Sequence, residues 1–286
     1  MAITAAQVKE LREKTGAGIM DAKKALMEND GDLEKAMEYL RQKGMASADK
    51  KMSRIAAEGL VYSLIQDGVG AMVEVNCETD FVAKNEDFKK LVDMIAQAVI
   101  KHNPADIDAL NKATCPVCGK VVEDMVKESI ATIGEKITIR RFVREEGSIA
   151  TYVHNNKIGV LLKYTGNDET AAKDVCLHIA SSAPEFVSRK EIPQSVIDEE
   201  TRIEMGKEDL AKKPEQIRAK IVEGRVNKLM AQRCLLEQPF VKAPDSTVEQ
   251  YVSGKIEIVS FDRWTLGEGL EKRQDNFAEE VMSQMK

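Results

Sequence analysis

Two stretches of this 286-residue chain echo each other at a nearly constant separation, and an internal repeat of that kind leaves few ways to fold. Glu58-Gly59-Leu60-Val61 returns 88 residues later as Glu146-Gly147-Ser148-Ile149, and Val69-Gly70-Ala71-Met72-Val73 returns 89 residues later as Ile158-Gly159-Val160-Leu161-Leu162. Each copy reads as a β-hairpin: alternating apolar positions lead into a turn, Asp67-Gly68 or Asn155-Asn156, and a second strand leaves it. A helix is expected to pack on each sheet. Phe88, Leu91, Val92, Ile95, Ala98 and Val99 share one helical face in the first copy, as do Ala172, Val175, Cys176 and Ile179 in the second. A third strand matches as well, since residues 136–142 and 255–261 both read Lys-Ile-x-Ile-x-x-Phe at an offset of 119. The expected fold class is α+β, with one repeat over 55–143 and the other over 144–192 and 239–266.

The growth of the offset from 88 to 119 leaves 31 residues to be housed inside the second copy, and residues 193–238 can house them. Pro193 opens a helix in which Val196, Ile203 and Leu210 recur every seven residues. Lys213-Pro214 breaks it, and Ile217, Ile221, Leu229 and Met230 mark a return helix, which makes an antiparallel helical hairpin. Ahead of the repeats, residues 1–54 read as a three-helix bundle with a tether. Thr4 caps the first helix, with Val8 and Leu11 inward, and Thr15-Gly16-Ala17-Gly18 ends it. The second carries Met20, Ala22, Lys23 and Leu26 up to Asn29-Asp30-Gly31. Asp32 caps the third, which holds Leu33, Ala36, Met37 and Leu40 and is closed by Gly44, so that 45–56 form a polar tether. Residues 267–286 form a C-terminal helical module with a Phe277, Val281, Met285 stripe.

Between the first hairpin and its helix runs Glu74-Val75-Asn76-Cys77-Glu78-Thr79-Asp80-Phe81-Val82. By pattern alone, Thr79 or Asp80 caps a helix and Phe81 fills the core beneath it. Thr79-Asp80-Phe81-Val82, however, resembles the signature of the bacterial elongation factor Ts family, and the resemblance covers nearly the whole chain. Leu11-Arg12-Glu13-Lys14-Thr15-Gly16-Ala17-Gly18 is similar to the first turn of that family's ubiquitin-associated-like module. Residues 193–238 resemble its coiled-coil arm, with Val222-Glu223-Gly224-Arg225 and Gln238-Pro239-Phe240-Val241 around the return helix. Gly267-Glu268-Gly269-Leu270-Glu271-Lys272 resembles its C-terminal module.

The resemblance implies a guanine nucleotide exchange factor for elongation factor Tu, with no covalent chemistry of its own. Under it, Thr79, Asp80, Phe81 and Val82 form a tip pressed against the partner GTPase, where they dislodge Mg²⁺ and loosen the phosphate grip. Phe81 then becomes an exposed anchor. Arg12, Ile19, Met20 and Lys23 would dock the nucleotide domain of the partner. His154, in Tyr152-Val153-His154-Asn155 at the end of the second hairpin, would touch another part of it.

Composition agrees with a protein partner. There are 42 basic and 48 acidic residues, a net charge of −6, which disfavours a chain whose task is to neutralise phosphates, so no direct nucleic-acid contact is expected. The Lys-rich stretch from Lys207 to Lys220 is the feature an RNA-binding alternative would rest on. No apolar run approaches the roughly 20 residues of a membrane span, and the start lacks signal-peptide character, so a cytoplasmic location is expected. A homo- or hetero-oligomer is compatible with this reading. No phosphate-binding loop or dinucleotide fingerprint is found, and His102, His154 and His178 lack any metal or triad context, so no cofactor is expected. Five cysteines do not make a disulfide framework. Cys115-Pro116-Val117-Cys118-Gly119 leaves three readings open: a loop with two free thiols, half of a zinc site, or a redox pair that would make the chain a thiol oxidoreductase.

Overall fold

The computed structural model describes residues 3–210 and 213–271, the side chains of 45–50 excepted. Three helices come first, α1 (Ala5–Thr15), α2 (Ile19–Glu28) and α3 (Leu33–Lys51). Thr4 and Gln7 close a capping box at the start of α1, and Asp32 accepts the Glu34 and Lys35 amides at the start of α3. Leu11, Ala22, Ala25, Leu26 and Ala36 are the buried centre of this bundle.

The expected end of the third helix at Gly44 is not observed. Helix α3 runs on to Lys51 through most of the stretch read as a tether. The glycine serves close packing instead: a Cβ at Gly44 would lie 2.8 Å from the Ala131 Cβ. Arg41 reaches Asp124 at 3.0 Å, and Lys51 Nζ donates to the Ile130 carbonyl at 3.3 Å. The bundle is thus seated on the sheet-bearing part of the molecule.

The first repeat comprises β1 (Glu58–Gln66), β2 (Val69–Cys77), α4 (Asp80–Lys84), α5 (Glu86–His102), α6 (Ile107–Lys112), α7 (Val122–Ile133) and β3 (Thr138–Glu146). Its antiparallel sheet has the order β1-β2-β3. Asp67 and Gly68 both have positive φ, 51° and 73°, the backbone that lets a two-residue turn match the strand twist. Phe88, Leu91, Val92, Ile95, Ala98 and Val99 of α5 are all buried against Ala71, Val73 and Val75 of β2 and their neighbours.

The second repeat follows the same plan with β4 (Ser148–His154), β5 (Ile158–Gly166), α8 (Glu169–Ser182), α9 (Gln194–Met205), α10 (Glu215–Arg233), β6 (Pro239–Phe240), β7 (Ala243–Thr247), α11 (Val248–Val252) and β8 (Ile256–Thr265). Its main sheet has the order β4-β5-β8, and its turn uses Asn155 and Asn156 at φ 49° and 57°. Helices α9 and α10 pack together as a hairpin. The heptad reading of α9 needs correction: the helix stops at Met205, Leu210 is buried on a separate 3₁₀ turn, and Ile203 and Ile217 are exposed. The hairpin's own core is Ile192, Leu210, Val222, Val226, Met230 and Cys234.

The two sheets pack face to face. Val61, Met72, Leu161, Trp264 and Leu266 fill the space between them. That approach is close because one glycine on each central strand faces the other sheet. A Cβ at Gly70 would lie 2.6 Å from Ile149, and one at Gly159 would lie 2.4 Å from Val61. Strand β2 is consequently buried along almost its whole length. Of the C-terminal module, the Phe277, Val281, Met285 stripe lies outside the described residues.

Candidate partner-binding site

The second strands of the two repeats, β2 and β5, correspond at an offset of 89, but the helices that follow them correspond at 84, pairing Phe88 with Ala172 and Ile95 with Ile179. The first copy therefore holds five extra residues between sheet and helix. Helix α4, Asp80–Lys84, is five residues long and occupies that place. Comparing the two offsets would have revealed this insertion in the sequence itself.

Each residue of the insertion has a separate role in its geometry. Thr79 is the N-cap, its hydroxyl oxygen accepting the Val82 amide at 3.4 Å. Val82, grouped by the family resemblance with the projecting residues, is buried in the first repeat's core and roots the turn. Phe81 points the other way and is 80% exposed. The core-filling reading of Phe81 thus fails, while the capping reading of Thr79 stands. Asn85 begins α5 by accepting the Asp87 amide at 2.8 Å.

Beside Phe81, Asp80 pairs with Lys84 at 2.6 Å, and this hydrogen bond holds its carboxyl below the usual range. The same ammonium lies 5.9 Å from the centre of the Phe81 ring. Lys157 adds a weaker pull on Asp80 from the second hairpin, a neighbour that sequence reasoning missed. That hairpin's turn is fixed to β1, with the Val61 amide donating to the Asn156 carbonyl at 2.8 Å. His154, exposed in this turn, lies between the Tyr152 hydroxyl at 3.0 Å and the Asn155 amide at 3.2 Å. The turn that His154 enters is therefore held against the first sheet, which also carries the tip. Arg12, Ile19, Met20 and Lys23 are all exposed on α1 and α2, and Met27 adds a further exposed methionine there.

The remaining candidates are differently placed. His178 is buried, accepts the Val241 amide at Nδ1 and donates from Nε2 to Gln238 at 2.8 Å; burial lowers its pKa, so it is a neutral packing residue. Cys115 is buried and Cys118 exposed in a tight loop closed by the Gly119 amide on the Cys115 carbonyl at 2.9 Å. Partial desolvation of its sulfur, which lies 3.3 Å from the Met125 sulfur, pushes the Cys118 thiol up although the residue is exposed, and this lowers the thiolate fraction that redox or metal chemistry would use. Among the described residues no group of three or more His, Cys, Asp or Glu side chains could hold a metal ion, and no helix is long and apolar enough to cross a membrane.

Comparison with known proteins points the same way as the tip. A family model described as Elongation factor TS matches residues 78–268, beginning one residue before Thr79. The chain is 46% identical over 290 residues to Elongation factor Ts of Alkalilimnicola ehrlichii, covering 99% of both chains. It is also 46% identical over 293 residues to Elongation factor Ts of Thioalkalivibrio sulfidiphilus, covering 100% of this chain and 99% of that one. Both alignments take in the N-terminal bundle.

Proposed function

The chain belongs to the elongation factor Ts family, and from that premise we propose that it releases GDP from elongation factor Tu by pressing the Asp80-Phe81 tip into the GTPase. Family membership carries the general activity, nucleotide exchange in translation elongation, which involves no covalent step in this chain. The observation that carries the specific mechanism is Phe81, a large aromatic held 80% exposed on a turn whose root, Val82, is in the core. An aromatic side chain that contributes nothing to its own fold and is held in place by its neighbours is suited to entering a partner's pocket.

A GTPase grips GDP through loop amides, a lysine and Mg²⁺ around the phosphates. An anchor wedged beside that loop, with the Asp80 carboxylate next to it, weakens the grip by competing for the metal's surroundings and shifting the loop. Val82 and Thr79 set the wedge's position, while Arg12, Ile19, Met20 and Lys23 on the bundle and His154 on the second hairpin hold the partner elsewhere. Linkage makes the effect mutual: the factor by which this chain lowers GDP affinity is the factor by which GDP lowers the affinity of this chain.

The test is stopped-flow release of fluorescent GDP from elongation factor Tu. Phe81→Ala is expected to cost about 2–4 kcal/mol in the interaction that drives release, with an unchanged denaturant midpoint. Normal release from a destabilised protein would refute the wedge.

A further inference from the structure

We infer that Glu135, on the loop after α7, is the positioning residue of the exchange tip: its carboxylate locks the turn from which Asp80 and Phe81 project. The inference rests on the exchange reading above and adds to it a residue 54 positions away in the chain from Phe81. One oxygen of Glu135 accepts the Glu78 and Thr79 amides, at 3.1 and 3.0 Å, and the other accepts the Thr79 hydroxyl at 2.6 Å. That hydroxyl in turn accepts the Val82 amide, so a continuous line of hydrogen bonds runs from the carboxylate into α4. The clamp is reciprocal, because Glu78 reaches back to accept the Lys136 amide at 2.7 Å. Arg54 also donates to Glu78, at 3.2 Å, and its carbonyl accepts from Lys136 Nζ at 2.8 Å.

Two features separate this from an ordinary loop contact. A five-residue helix has too few internal hydrogen bonds to hold its own direction, so the direction of Phe81 depends on what grips its base. Charge-assisted bonds to two adjacent backbone amides are the strong, directional kind. The second repeat then supplies an internal control. Where the Lys-Ile-x-Ile motif aligns the copies, Gly254 stands in place of Glu135, and at the strand offset Asn167 stands in place of Glu78. The copy without a tip also lacks the clamp.

Glu135→Gln keeps the side chain's size, but with its one oxygen on the two amides it turns an amide nitrogen toward the Thr79 hydroxyl, so the hydroxyl loses its acceptor and the amide bonds lose their charge assistance. Release of fluorescent GDP from elongation factor Tu is measured over a range of exchange-factor concentrations for the wild type, Glu135→Gln, Phe81→Ala and the double variant, each with a denaturant melt. Glu135→Gln is expected to lower the maximal release rate roughly tenfold while moving the half-saturating concentration less than about twofold, as misplacement of a reacting element does. In the Phe81→Ala background it should cost less than about a further twofold, since a clamp has nothing left to aim. A purely structural role would lower the melt and leave the rate per folded molecule unchanged. If Glu135→Gln fails to fold, Thr79→Val, which removes only the hydroxyl link, is measured instead and should lower the same maximal rate about threefold. A wild-type maximal rate in the substituted protein, or a loss that multiplies in full with that of Phe81→Ala, overturns the inference alone. A wild-type chain that leaves GDP release at its spontaneous rate overturns the exchange reading and the inference together.

Discussion

The two sheets of the molecule are alike down to their irregularities. In the first, pairing between β2 and β3 slips between Glu74 and Val75; in the second, pairing between β5 and β8 slips between Lys163 and Tyr164, the same positions at the offset of 89. Strand order and the helix packed on the sheet agree as well, while the two-residue turn of the first hairpin, with Gln66 opposite Val69, becomes a three-residue turn in the second, with His154 opposite Ile158, where the offset grows from 88 to 89. What differs is what hangs from the frame. The first copy carries the five-residue tip with its carboxylate clamp, and the second carries the α9–α10 hairpin. At the slip itself the copies hold opposite charges: Glu74 is buried against Arg140, Arg141 and the Gly267 amide, while Lys163 pairs with Glu145. A duplicated frame thus keeps its strand pairing and differs most in its insertions, one of which carries the proposed wedge.

Removing the difference is the strongest way to test that lesson. Excising Asp80–Lys84 gives the first repeat the direct strand-to-helix connection of the second. GDP release from elongation factor Tu should fall to the partner's spontaneous rate while circular dichroism still reports a cooperative melt. Persisting exchange would mean that the five residues are not what distinguishes the copies in function.

Next in size is the matched helix position at which the copies differ most in volume, Phe88 and Ala172. Phe88 is fully buried, so Phe88→Ala should destabilise by about 3–5 kcal/mol in a urea titration. Ala172→Phe should destabilise by about 1–3 kcal/mol through overpacking. If both are neutral, the two cores are not independently fitted.

The buried charge of the first sheet gives a smaller effect with a pH signature. Burial alone would raise the Glu74 carboxyl, but the Gly267 amide and the guanidiniums of Arg140 and Arg141 outweigh it and hold it below its ordinary value. The stability it contributes is therefore complete above the unfolded pKa of about 4.3 and is lost as pH falls through the lower folded value. Glu74→Gln should cost about 1–3 kcal/mol at neutral pH and flatten this part of the acid dependence, as read from urea midpoints across the acid range.

The smallest effect belongs to the exposed Lys84–Asp80 pair. Lys84→Ala should leave the melt unchanged and alter GDP release by less than about twofold. A larger loss of exchange would make the ammonium part of the contact.

Much of the frame was legible because a repeat states each pattern twice: turn residues, helical faces and the Lys-Ile-x-Ile strand reinforce one another at fixed offsets. Capping also read well, since Thr4 and Asp32 act on amides two or three residues away. Signals that depend on distant neighbours did not. Gly44 looks like a helix end until Ala131 is placed against it, and Glu135 is an unremarkable acidic residue until the fold brings it to Thr79. The heptad in α9 was misleading for a related reason, because Leu210 reaches the hairpin's core from a separate turn after Gly206 rather than along the helix.

The continuation of α3 through Gly44 has a consequence for avidity. A bundle on a flexible leash would add its binding energy only after losing the entropy of the leash, and its effective concentration at the partner would fall with leash length. Here 19 helical residues, about 28 Å at 1.5 Å per residue, are braced against α7, so the bundle's distance from the tip is set before any partner arrives. A partner that meets both surfaces meets a caliper of fixed gap. If one partner meets both of the proposed surfaces, the caliper selects by spacing as well as by contact, and a GTPase whose two docking patches are too near or too far apart gains nothing from the second jaw.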